Sequence, residues 1–225
     1  MQSTPTMPWL GARAADWLRS FVGRLPDMGL QDCHTPGLDS IVLEHEADER
    51  GKKVSMKRIF VAHPGRHGLH RLLDDSGNYV LGVHTHRYDL RLTTLVGRLV
   101  NHEVRICSSL WTGEPIYERS FTSALSSATG TPVLSEPTMG FIREQRNRVL
   151  MPGESRTMFS MDLHTVLVPH EFTAWLVEEG PDRSPSRFYS RTPDHVPDTT
   201  GLYRPLSVSD ATELLLKVAD QTIRQ

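Results

Sequence analysis

Apolar side chains recur at two different periods along this chain. Leu10, Ala14, Trp17, Leu18, Phe21, Val22 and Leu25 stand three and four residues apart, and Pro26 ends the run. That spacing predicts an amphipathic helix over residues 11–25. Near the other end Leu214, Leu215, Leu216, Val218 and Ile223 follow Ser209, with Asp210 and Glu213 placed where anions suit a helix start. They predict a second helix over 209–224.

Between the helices the pattern shortens to segments rich in Val, Ile, Leu, Thr, Tyr and Phe, interrupted by Gly, Pro, Asn, Asp or Ser. This is the rhythm of antiparallel strands, expected near 39–46, 54–62, 79–86, 90–96, 98–107, 115–121, 138–143, 147–151, 155–161, 163–168 and 172–178. So many short strands suit a double-sheet jelly roll better than alternating β-α units. Three stretches read as irregular: 63–78, with a helical turn around Leu69 to Leu73, then 122–137, and the proline-rich 180–206. Long connections of this kind serve as surface loops or as binding loops.

Composition narrows the function classes. With 225 residues and 38% hydrophobic side chains the chain is long enough to bury a core. Twenty-five basic against twenty-seven acidic residues leave a net charge of −2. No basic field exists to hold a phosphate backbone, so nucleic acid is not an expected partner. Cys33 and Cys107 form no C-x-x-C pair, which favours a reducing, intracellular setting over a disulfide framework. No run approaches the length of a membrane span, and the segment at 7–12 is too short and broken for a signal sequence. A soluble, cytoplasmic protein is expected.

Eleven histidines invite a metal reading, but at this abundance about 0.5 H-x-H pairs arise by chance. Context gives the single pair, His84 and His86, its weight. A period of two puts both rings on one strand face, together with Val80 and Gly82, and so toward the interior. Two imidazoles turned inward need partners. Backbone or water would satisfy them one at a time, and a metal ion would satisfy both at once.

The residues that follow carry a family resemblance. His84-Thr85-His86-Arg87-Tyr88-Asp89, an apolar strand and Gly97 resemble the first motif of the cupin superfamily, H-x-H-x(3,4)-E-x(6)-G. The motif's glutamate position falls on Leu90, with Asp89 one residue earlier. Met151-Pro152-Gly153-Glu154, a strand and then Leu163-His164-Thr165-Val166 resemble the second motif in layout. The resemblance implies a mostly β cupin double-stranded β-helix, a jelly-roll barrel, with flanking N- and C-terminal helices. It divides the chain into a helical extension (1–37), the barrel (38–180) and a loop with a C-terminal helix packed on the barrel (181–225).

The resemblance also implies a metal site of His84, His86 and His164. A three-histidine set is similar to that of cysteine-dioxygenase-like cupins, and one that includes Asp89 is similar to the two-histidine, one-carboxylate iron oxygenases. Fe(II) is the expected ion, with nickel, copper and zinc as alternatives, and the expected partners are O2 and a small polar substrate. Catalytic roles are expected for Asp89, for Tyr88 as a phenol on the histidine face, and for Arg91 or Arg87 as a carboxylate clamp. Glu103, inward on the next strand, is a further candidate base or ligand. His63, His67 and His70 form a second, looser cluster in a loop. Cys107 reads as a core thiol, because His102 points to the opposite face. No serine-hydrolase elbow, dinucleotide fingerprint or phosphate loop occurs. The leading expectation is therefore a cupin-type, iron-dependent oxygenase. A cupin-shaped binding or scaffold protein and a metal-dependent isomerase, lyase or zinc hydrolase stand as alternatives, and a homodimer is expected from the commonness of two-fold pairs.

Overall fold

A computed structural model describes residues 11–108, 113–120, 135–169, 171–183, 185–195 and 201–224. Up to residue 134, the expected irregular stretch 122–137 lies outside the described residues. In chain order the elements are α1 (Ala12–Arg19), β1 (Gly29–Gln31), β2 (Leu38–Ala47), β3 (Lys53–Ala62), a 3-10 turn (Gly68–His70), β4 (Val83–His84), β5 (Leu90–Val96) and β6 (Leu99–Cys107). They continue with β7 (Glu114–Ser120), β8 (Thr138–Leu150), β9 (Ser155–Met158), β10 (Leu163–Leu167), β11 (Thr173–Glu179), β12 (Arg187–Ser190), β13 (Arg204–Leu206) and α2 (Val208–Ile223).

Every strand pairing is antiparallel. Seven strands form a sheet in the order β13-β1-β2-β3-β11-β5-β9, and six close on themselves in the order β10-β4-β12-β7-β8-β6. The fold class implied by the two motifs, a mostly β barrel with a helix at each end, is the one observed. β12 belongs to the six-strand barrel, while β1 and β13 extend the other sheet.

Side-chain alternation sorts the core into layers. Ile41, Leu43, Ile59, Val61, Ala174 and Leu176 leave one face of the seven-strand sheet and meet Ala15, Leu18, Leu214, Leu215 and Val218 of the two helices. Their alternate neighbours Leu38, Ala62, Leu90, Leu92, Trp175 and Val177 turn the other way, against Leu99, Leu150 and Val166 from the barrel strands. This inner layer, between the two sheets, frames the histidines. A third layer of Tyr79, Val83, Val104, Ile116, Ile142, Leu163 and Tyr189 gathers on the opposite face of β10 and β6.

Several boundaries differ from expectation for local reasons. The strand expected at 79–86 shrinks to Val83–His84, because Gly82 turns at φ 67 and its N–H bonds back to the Tyr79 carbonyl at 2.9 Å. The two strands expected at 138–143 and 147–151 are one 13-residue strand, β8, pairing with both β6 and β7. Helix α1 stops at Arg19, and Phe21 and Leu25 are buried from the turns that follow. Helix α2 is capped by Ser207, whose hydroxyl accepts the Asp210 N–H at 3.1 Å, rather than by Ser209.

A candidate metal centre between the sheets

His84 ends β4, and strand register sets it directly opposite His164 of β10. Side chains opposed in an antiparallel pair share a face, so the two rings emerge side by side. His86 follows two residues on and keeps to the same face. The intervening Thr85 is buried, and its N–H and hydroxyl are tied to the Arg187 backbone at 2.9 and 2.8 Å. The three rings form a nearly equilateral group, with centroids 4.8, 5.0 and 4.9 Å apart. One ligand nitrogen from each lies within 4.8 Å of the others. Among the described residues this is the one such convergence of three or more histidine, cysteine or carboxylate side chains.

The hydrogen bonds around the group set its tautomers. The Asn101 amide faces Glu103 through Nδ2 at 3.2 Å, which turns its Oδ1 to accept the His164 Nδ1–H at 2.5 Å. The carbonyl of Gly82 takes the His84 Nδ1–H at 3.3 Å. Both rings therefore keep a lone pair on Nε2. His86 Nε2 lies 2.7 Å from His164 Nε2, so His86 donates there when no ion stands between them. Burial lowers the pKa of all three rings. Neighbouring histidines push in the same direction on His86 and His164, while the Gly82 bond partly opposes the shift at His84. Neutral imidazoles, two of them with the outer ring proton held by an amide or a carbonyl, are what a transition metal requires of histidine ligands. The donor set fits such an ion.

Other expected site residues lie elsewhere. Asp89 is not in the cluster: its carboxylate accepts the Ser160 N–H at 2.9 Å and pairs with Arg183 at 3.2 Å. Arg91 alternates with Leu90 and Leu92 of the inner layer and so leaves from the outer face, reaching Ser155 at 3.3 Å and Glu178 at 4.0 Å. Arg87 is exposed and pairs with Asp182. Glu103 is held by Arg156 and Arg148 at 2.7 and 3.0 Å. His63 bonds Asp39 at 2.9 Å and His70 bonds the His67 carbonyl at 3.1 Å, so the loop histidines do not converge. Tyr88 is at the site, its ring centroid 5.6 Å from that of His86. Burial, and then Glu179, raise its pKa, so the phenol stays protonated.

The structure adds residues that the sequence pattern did not single out. Glu179, 2% exposed at its side chain, takes Lys53 and Arg58 at 2.8 Å each. Lys53 also sits 3.3 Å above the centre of the Tyr88 ring. Phe60 and Trp175 stack at 5.5 Å between the sheets, with the Arg58 guanidinium 5.8 Å from the Phe60 ring. A fourth histidine, His34, lies 6.1 Å from Phe60 and bonds the Tyr203 hydroxyl through Nδ1 at 2.8 Å. Inward alternation on β3 and β11 is the signal that marks Arg58 and Glu179. His34 lies outside any periodic segment.

No protein-family model matches the chain, and no curated protein matches it. Solved structures similar to it include the L-ribose isomerase of Cellulomonas parahominis, with 13% identity over 89% of this chain and 90% of that one and a TM-score of 0.37. A cupin-like protein of Thermotoga maritima matches with 10% identity over 67% and 75%, TM-score 0.31. A structure of DMSP lyases matches with 14% identity over 64% of this chain, TM-score 0.32, and the chain spans about half of its length, 47%.

Proposed function

We propose that this protein is a mononuclear metal enzyme of the cupin type that holds Fe(II) on His84, His86 and His164 and acts with O2 on a small polar substrate. The observation that carries this reading is the convergence of three neutral imidazoles, one ligand nitrogen each within 4.8 Å of the others, with no carboxylate among the described ligand atoms. Bound there, Fe(II) would supply Lewis-acid and one-electron chemistry, with coordination positions left open by the three protein ligands. Three neutral ligands do not offset the charge of a divalent ion, so the site favours a substrate that brings an anionic donor. In this reading Asn101 and the Gly82 carbonyl hold the Nδ1 protons of His164 and His84, while the Phe60–Trp175 stack adds apolar surface to the layer between the sheets. Tyr88, its pKa raised, retains its proton beside His86, and Lys53, Arg58 and Glu179 supply fixed charges along the wall.

The test is anaerobic loading of the full chain with Fe(II) followed by nitric oxide, read by electron paramagnetic resonance. The proposal expects every bound iron to give a high-spin nitrosyl signal, which reports an open position for a diatomic ligand. Iron bound without a nitrosyl signal would overturn the oxygenase reading and leave an isomerase, a lyase or a binding protein. Failure to take up iron would overturn the iron centre itself.

A further inference from the structure

Three residues other than glycine carry a left-handed backbone among the described residues: Asp32 (φ 51), His34 (φ 71) and Tyr203 (φ 58). Such conformations are costly, and they persist where the surroundings fix them and where a site uses the result. All three belong to one joint. The Tyr203 N–H bonds the Asp32 carbonyl at 3.3 Å, and the Asp32 carboxylate caps the Gly37 N–H at 2.6 Å and pairs with Arg204. The Tyr203 hydroxyl meets His34 Nδ1 at 2.8 Å, and the two rings stand edge to face at 5.5 Å. β13 pairs with β1 immediately beyond, from Gln31–Arg204 to Gly29–Leu206, and locks the register of the joint.

Neither His34 nor Tyr203 belongs to the apolar core clusters, so core packing alone does not account for the strained backbone at these two positions. The joint does hold an imidazole next to the inner layer, 6.1 Å from Phe60, where His84 helps to lower the His34 pKa and His34 helps to lower that of His86. Yet the His34 ring nitrogens stand apart from the three that converge within 4.8 Å. Tyr203 keeps its proton, since burial raises its pKa, and that proton is available to His34 Nδ1. With Tyr203 as the donor, the neutral imidazole carries its own hydrogen on Nε2, where it can donate in turn.

Resting on the reading of the three-histidine centre given above, we infer that His34 is a ligand-contacting residue of the same site. It stands back from the metal set and donates from Nε2 to an anionic group bound at the open position, with Tyr203 as the positioning residue that fixes its tautomer and aim. The substrate class this selects is a small anion with a second acceptor atom beside its metal-binding one.

The test uses cobalt(II)-loaded full-length protein titrated with azide and followed by visible absorption. Asparagine tolerates the left-handed backbone at position 34, and its amide reaches only the place of Nδ1, whereas the glutamine amide reaches that of Nε2. His34→Asn is therefore expected to retain cobalt at the parent stoichiometry and to weaken azide binding about tenfold or more, the loss typical of a hydrogen bond to a charged partner. His34→Gln should recover part of that loss, and Tyr203→Phe should weaken azide binding while leaving cobalt content unchanged. A purely structural joint would give parent-like azide affinity in folded His34→Asn, and that result overturns the inference. Loss of cobalt from His34→Asn would overturn it differently, by making His34 a metal ligand. A parent protein that takes up no cobalt fails before any variant is compared, and overturns the inference together with the centre it rests on.

Discussion

Asn101 decides more about the centre than its uncharged side chain suggests. Its Oδ1 holds the His164 Nδ1–H at 2.5 Å, and its own orientation is set by Glu103, itself fixed by Arg148 and Arg156. Asn101→Ala should therefore lower metal affinity about 10–100-fold, the usual cost of losing a partner behind a histidine ligand, while leaving the strands paired. Competition against a chromophoric chelator measures this, and unchanged affinity would remove Asn101 from the account. The same histidines set a pH dependence. In the folded, metal-free chain their pKa values lie below the ordinary 6.5, so at falling pH the unfolded chain binds more protons. Their contribution to stability is complete above about pH 6.5 and is lost below it. Thermal melts of metal-free protein should show a declining Tm from about pH 6.5 downward, and a flat Tm through that range would contradict the burial of the three rings. His84, His86 and Tyr88 were legible in the sequence because they share one parity along the chain. Asp89 and Arg91 sit on the other parity, and one residue of offset turns a side chain to the opposite face. His34 gave no periodic signal, since contacts distant in sequence place it.

At the scale of elements, the site depends on how abruptly the chain enters and leaves β4. Gly82 turns at φ 67, and a Cβ there would lie 1.9 Å from Phe188 Cε2. Gly82→Ala should thus combine backbone strain of about 1–2 kcal/mol with displacement of the β4–β12 pairing, lowering both the urea midpoint and metal uptake. A variant with parent-like uptake would show that β4 can shift without disturbing His84. Long strands with clean alternation, such as β3, β5, β6, β10 and β11, appear within a few residues of where the pattern puts them. The short β1, β12 and β13 did not, because each is held by its neighbours in the sheet rather than by local preference. Of these, β12 flanks His84 at Phe188 and β13 fixes Tyr203.

Across the whole molecule the two terminal helices and the candidate centre lie on opposite faces of the seven-strand sheet. Leu215 is fully buried in the helical layer, so Leu215→Ala should cost about 2–5 kcal/mol of stability. The centre belongs to the other layer, so metal stoichiometry should be unchanged at temperatures where the variant is folded. Loss of metal from the folded variant would show that the layers are coupled. No helix among the described residues is long and apolar enough to cross a membrane. The most direct check on the central claim is elemental analysis of the full chain, purified anaerobically and supplied with Fe(II), beside His164→Ala. About one transition-metal ion per parent chain is expected, as one three-ligand set requires, and its loss from the variant. Metal-free parent protein, or a variant that retains its full complement, would contradict it.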